Sequence, residues 1–272
     1  MLTKRLLLCA AALLIASGSL HASTPKSMSE PTSSRTLAAD APDHAPFTEA
    51  LGKHVKNGKV DYKGFKGDKQ FAAYIESLKK VDPYAIDAKE RLAYWLNVYN
   101  AFTIKVVMDN YPLKSIKDLG EGNLVVGTIF KSTVWDRKNV DINGKTYSLN
   151  DIENNIIRKT GDPRVHFAMV CAAKSCPPLR TEAYEPSKLN AQLEDQGRTF
   201  MAQTSKNRFD FAKKEATISN IFNWFKGDFE KTGQPVLEYL ARFLPKEQGE
   251  QLKTDSKSFK VDYTEYDWSL NE

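Results

Sequence analysis

The sequence predicts an α+β fold, a mostly helical single domain that carries a small antiparallel or mixed sheet and β-hairpins. Three observations predict it. Residues 88–109 repeat apolar side chains at helical spacing, with Leu92, Trp95, Leu96, Tyr99, Phe102 and Val106 in one stripe. Val140 to Tyr147 reads as a hairpin, because Asn143-Gly144 supplies the two positive-φ positions of a tight turn. The helices and hairpins that follow lack the regular strand–helix–strand alternation of a parallel sheet, which argues for α+β.

The chain opens with Lys4 and Arg5, an apolar run from Leu6 to Ile15, and small residues up to Ala22. That layout predicts a secretory signal peptide over residues 1–22, too short in its apolar part to span a bilayer. Residues 23–45 are rich in Ser, Thr, Pro and Ala without apolar period and read as a flexible linker. Residues 46–272 then form one domain with its own core. No later segment is long and apolar enough to cross a membrane, so no transmembrane span is expected after cleavage. The expected location is periplasmic or secreted. The formal charge of the whole chain is +5. Loss of Lys4 and Arg5 lowers it by two, and near-balance gives no electrostatic reason to expect a nucleic-acid partner.

Along the domain, Phe47 to Val55 reads as a short helix and Lys59 to Tyr62 as a short extended piece. Asp68 caps a helix through Phe71, Tyr74, Ile75 and Leu78. The 88–109 helix is also apolar on its opposite face, at Ala93, Ala101, Ile104 and Met108, so it is expected to be buried. Asn97 and Asn100 lie side by side on that second face. Buried amides need partners, and these two either pin a neighbouring segment or line a site. Tyr111-Pro112 ends the helix. Gly120, Gly122 and Gly127 mark 113–139 as loop with short extended pieces. Ser148 and Asp151 form a capping box for a helix carrying Leu149, Ile152 and Ile156.

Val165 to Cys171 reads as a buried strand between the turn Gly161-Asp162-Pro163 and the loop Lys174 to Pro178. Ser187 caps a helix with Leu189, Leu193 and Phe200, and Arg208 to Ile218 is a second hairpin. Ser219 caps an aromatic helix, Pro235 opens another that Pro245 ends, and Phe259 to Tyr263 is a closing strand.

Gly161 to Leu179 gathers the most chemistry. It holds Cys171 and Cys176, the two cysteines left after removal of the leader, and His166, the only histidine beyond His54. A thiolate nucleophile needs a base, and the base an orienting group. That logic makes Cys171 the candidate nucleophile and His166 its base, with Asn97 or Asn100 as orienting or oxyanion group. Strand parity opposes it, since His166 and Cys171 would point to opposite faces. Trp95, Asn97, Asn100 and Arg164 are candidate binding residues. In an oxidising compartment Cys171 and Cys176 are a disulfide pair by default. They stand further apart than thioredoxin-type redox pairs. His166, Cys171 and Cys176 supply three potential zinc ligands and no evident fourth. No metal or cofactor is therefore expected.

Four stretches in order are familiar: Ala93 to Ala101, Asn110 to Ile116, Tyr147 to Glu153, and Asp162 to Leu179. They resemble the family called domain of unknown function 547, over roughly residues 60 to 230. The resemblance implies no settled activity. Some family members look fused to glutaredoxin-like or signalling domains, which implies thiol chemistry or a binding role. The leading expectation is an exported, non-catalytic cell-envelope binding or structural module with a Cys171–Cys176 disulfide and an unknown envelope ligand or protein as partner. The alternatives are a thiol-dependent hydrolase or transferase using Cys171 and His166, and a thiol–disulfide exchange protein.

Overall fold

The structure is a computed structural model that describes residues 42–120 and 133–272. The signal peptide, most of the linker, Gly122 and Gly127 lie outside the described residues. Among the described residues the first buried one is His44, two residues before the expected boundary. Its Nδ1 meets Tyr74 Oη at 2.8 Å in a buried contact.

The chain is α+β, as the periodicities predict. Helix α1 (Ala45–His54) leads into a minimal hairpin of β1 (Val55–Lys56) and β2 (Lys59–Val60). Helices α2 (Tyr62–Gly67) and α3 (Lys69–Leu78) follow. Asp68 caps α3 through the N–H groups of Gln70 and Phe71. Helix α4 (Ala88–Asp109) is the axis of the molecule, and Ala93 to Ile104 are buried without a break. An apolar stripe on both faces leaves it no solvent side, and the neighbours close round it.

The hairpin of β3 (Val140–Ile142) and β4 (Lys145–Tyr147) turns at Asn143 (φ 47°) and Gly144 (φ 73°). Ser148 then caps α5 (Leu149–Asp151) with the expected box, and a wider π-type turn continues over Ile152–Ile157.

Residues 165–171 are not a strand. They form one helical turn, α6 (Val165–Ala168), and then run extended. Local hydrogen bonding explains the difference. Asp162 Oδ1 accepts from the Arg164 N–H at 2.9 Å, and the Phe167 N–H donates to the Arg164 carbonyl at 2.9 Å. The run is apolar because it is enclosed, and enclosure suits a helical turn as well as a strand. Where a neighbouring strand would pair, Asn100 takes the backbone instead, as described below.

Helix α7 (Leu189–Met201) starts one residue later than the Ser187 cap implied, from Lys188 without a side-chain cap. Strands β5 (Arg208–Asp210) and β6 (Glu215–Ile218) make the second hairpin. Four helices follow: α8 (Ile221–Trp224), α9 (Lys226–Glu230), α10 (Val236–Leu240) and α11 (Lys246–Asp255). Strand β7 (Lys260–Tyr263) then pairs parallel to β6, giving a mixed sheet in the order β5-β6-β7.

The core falls into two clusters. One surrounds α4. The other joins Phe200, Phe222, Phe229 and Phe243 behind the mixed sheet. The α6 segment belongs to both: Val165 and Ala168 pack in the first cluster and Phe167 in the second. His166 and the cysteine loop therefore sit at the seam between the two cores.

Candidate functional site

A cleft of about 400 Å³ opens at this seam. Cys171, Cys176, Tyr266, Tyr99, Glu153 and His166 contribute its polar lining, and Trp135, Trp224, Phe225 and Trp268 its aromatic walls.

The cysteine loop is held by three elements. Asn100 on α4 clamps the chain just before it: its Nδ2 donates to the Ala168 carbonyl at 2.9 Å and its Oδ1 accepts from the Val170 N–H at 3.0 Å. Ala172 then adopts a left-handed φ of 64°, uncommon for a residue with a Cβ, which turns the loop back on itself. The C-terminal segment Asp267 to Asn271 straps the loop down. The Lys174 N–H donates to the Ser269 carbonyl at 2.8 Å, Ser175 N–H to Asp267 at 3.2 Å, and Asn271 N–H to Ala172 at 3.1 Å.

These constraints bring the two sulfurs together. Both are free thiols here, so the expected disulfide is not formed in this structure. The Cys171 N–H donates to Cys176 Sγ at 3.1 Å. Tyr266 Oη donates to Cys176 Sγ at 3.2 Å and lies 3.4 Å from Cys171 Sγ. Cys176 is buried and Cys171 partly exposed. Burial opposes charge on Cys176, yet hydrogen bonds from the Cys171 thiol, from Tyr266 and from the backbone at Ala173 and Cys171 outweigh it and lower its pKa. Cys171 moves the other way, far up, because it donates to Cys176 and is desolvated. Of the two sulfurs, Cys176 is the better thiolate, and the exposed one stays protonated.

His166 lines the same cleft without bonding either sulfur. Its Nε2 pairs with Asp228 Oδ2 at 3.0 Å, and its ring stacks on Phe225 with centroids 4.1 Å apart. Burial lowers its pKa to about 4, against the opposing pull of Asp228. Asp228 also receives Arg158 Nε at 2.6 Å. Despite its own burial it is held well below the usual carboxylate range by Arg158, His166 and Lys231. His166 is thus a neutral imidazole near pH 7, fixed by a carboxylate on α9. The strand-parity objection to a His166–Cys171 pair lapses with the strand, and the Asp228 bond takes its place.

Glu153 accepts from Tyr99 Oη at 3.1 Å, and burial raises its pKa from the ordinary glutamate value, against Tyr99 and Arg158. Asn97 is the second backbone clamp: its Nδ2 donates to the Tyr184 carbonyl at 2.8 Å and its Oδ1 accepts from the Tyr184 N–H at 2.9 Å. Trp95 is buried edge-on to Tyr94 and Tyr147, at 5.2 and 5.3 Å. Arg164 is tied to Asp162 at 2.7 Å and to Glu194 at 2.9 Å. None of these four candidate binding residues lines the cleft. Sequence reasoning missed Tyr266, Trp268, Glu153 and Asp228. The density of aromatics from Tyr263 to Trp268 was the one available signal for the first two. Among the described residues, no group of three or more His, Cys, Asp or Glu side chains is arranged to hold a metal ion. No described helix is long and apolar enough to cross a membrane.

No curated protein and no solved structure is similar enough to match the chain. One family model matches, over residues 83–201, and its description is "Protein of unknown function, DUF547". The matched span runs from just before α4 to the end of α7 and includes His166 and both cysteines. Over these residues the chain matches the domain of unknown function 547 family, which supports the resemblance read from its motifs.

Proposed function

We propose that the chain is a thiol–disulfide exchange protein of the cell envelope, exported by its 1–22 leader, in which Cys171 and Cys176 cycle between dithiol and disulfide. The observation that carries this reading is the Tyr266 hydroxyl, within 3.4 Å of both sulfurs on the lining of a cleft. In the oxidised form, a substrate thiolate entering the cleft attacks the accessible Cys171 sulfur. The Cys171–Cys176 bond breaks, and its electron pair leaves on Cys176 as the thiolate. The Cys171 N–H and Tyr266 O–H already point at that position. A lower-pKa sulfur leaves faster. A second substrate thiolate then attacks the mixed disulfide, Cys171 takes up a proton, and the substrate is released as its disulfide. An external disulfide supplies the oxidising equivalents that reset the pair.

The strap favours a reactive bond over a merely structural one. Six-residue loop closure is worth only roughly 2 kcal/mol. The strap and Asn100 already hold the same loop without a cross-link. Single-cysteine variants test the order of attack. Reduced Cys176→Ser should accumulate a mixed disulfide at Cys171 with a small disulfide reagent, whose other half leaves as the thiol, and Cys171→Ser should react much more slowly. Equal reactivity, or faster reaction at Cys176, contradicts the order.

A second reading keeps the cleft and removes the chemistry: a ligand-binding envelope module whose cysteines form a static cross-link. The bonding of His166 to Asp228, which leaves the thiols no histidine base, favours it. Ligand-dependent melting shifts without any thiol exchange would support it over the first.

A further inference from the structure

The described lining of the cleft carries acidic groups and open indole rings that thiol exchange does not use. It includes two carboxyl groups, Asp136 and Glu153, and neither lysine nor arginine. His166 adds no charge near neutrality. Asp136 is oriented by Thr133 Oγ1 at 2.6 Å and Asn150 Nδ2 at 2.9 Å, which hold it ionised. Glu153 has only a neutral phenol against Oε2, while the nearby Arg158 is committed to Asp228 and Asn154. An anionic ligand would face the Asp136 carboxylate with no lysine or arginine among the described lining residues, whereas a cation would also draw the buried Glu153 carboxyl toward its ionised form. A wholly apolar ligand would desolvate Asp136 without a counter-charge.

The walls point the same way. Trp224, Tyr266 and Trp268 are mutual neighbours, with ring centroids 4.6 to 5.9 Å apart, and Trp135 joins them through Trp268 at 5.6 Å. Trp224 is 47% exposed at the cleft, a large aromatic surface left open to a ligand. Indole faces attract cations more strongly than other aromatic rings do. The protein already uses Trp268 in this way: Lys117 Nζ stands 4.8 Å from its ring centroid.

We infer that the substrate of this cleft is a thiol that carries an ammonium group, its charge placed among the tryptophan rings with Glu153 and Asp136 as counter-charges and its sulfur directed at Cys171. This rests on the thiol-exchange reading for the sulfur and stands independently of it for the cation.

The test compares cysteamine, 2-mercaptoethanol and 3-mercaptopropionate as reductants of the oxidised full-length chain. Each rate is divided by that thiol's rate with a small free disulfide at the same pH. The expected corrected rate for cysteamine exceeds that for 3-mercaptopropionate by about tenfold at low salt, and the ratio shrinks as salt is raised. It should collapse in Glu153→Gln and in Trp224→Ala. Equal corrected rates, or a preference for the anion, overturn the inference. A sulfur-independent arm titrates the reduced chain with butylammonium and follows tryptophan fluorescence. Saturable quenching without thiol exchange keeps the cation site and sinks the exchange reading. Exchange without charge preference and without quenching does the reverse.

Discussion

At the scale of single residues, hydrogen-bonded clamps matter more than charge. Asn97 and Asn100 each satisfy a donor and an acceptor of a distant backbone segment from within the body of α4. Replacing either by leucine leaves a buried N–H and C=O unpaired. Chemical denaturation should register a loss on the order of 1–3 kcal/mol for each. A change within a few tenths would show that water reaches these groups. The amides were legible in the sequence, because two asparagines on an otherwise apolar helical face need partners. Their partners were not, since a hydrogen bond across 68 to 87 residues leaves no local pattern. His166 was legible as a candidate and illegible in role, because Asp228 lies 62 residues away. Its folded pKa of about 4 lies below the ordinary value of 6.5, so the unfolded chain binds a proton in that window that the folded one does not. Stability should therefore fall as pH drops from 6.5 to 4, by on the order of 1–3 kcal/mol from this residue. His44, buried with its pKa likewise lowered to about 4, adds a loss of the same sign. A site-resolved NMR titration of the His166 ring separates the two, and a midpoint at or above 6.5 would contradict its burial as a neutral group.

At the scale of elements, periodicity was informative wherever an element makes its own hydrogen bonds. Helix α4 has the bounds its stripe implied, and the Asn143-Gly144 hairpin closes at the expected turn. Val165 to Cys171 misled because an enclosed apolar run has no polar face to reveal its period. The C-terminal strap was illegible for a related reason: its order comes from contacts with the distant cysteine loop and with β2, which leave no periodic pattern along the segment. Asn271 anchors it. Its carbonyl accepts from the Val60 N–H at 2.8 Å, and its Oδ1 from the buried Tyr62 hydroxyl at 2.6 Å. Asn271→Ala should destabilise by about 1–3 kcal/mol in denaturant titration through the orphaned tyrosine hydroxyl. It should also loosen the loop, raising amide hydrogen exchange at Lys174 and Ser175. Unchanged exchange there would mean the strap does not hold the cysteines. Helix α11 offers a packing counterpart. A Cβ on Gly249 would stand 2.4 Å from the Ala241 carbonyl oxygen, a backbone atom with little room to yield. Gly249→Ala should cost roughly 1–3 kcal/mol in spite of its better helix propensity, and a stabilised variant would show that the helix can shift.

At the scale of the whole molecule, two cores meet at α6, and the seam between them presents two sulfurs, a phenol, a buried carboxyl and an aromatic wall to one cleft. The α+β class could be read from patterns along the chain. The site could be read only as far as its cysteines, because Tyr266 and Trp268 come from the far end and Glu153 from another turn. The central claim is that the pair is redox-active, and the geometry carries a thermodynamic consequence. Donors aimed at Cys176 stabilise the dithiol form, and a stabilised reduced form makes its disulfide more oxidising. The direct measurement equilibrates the full-length chain in a graded series of thiol–disulfide buffers, traps free thiols by alkylation, and counts them by mass. The account predicts one reversible two-electron transition at Cys171 and Cys176, with a midpoint above about −300 mV, the level below which structural disulfides lie. A bond that persists in the most reducing buffers, or two thiols that persist in the most oxidising ones, would contradict it.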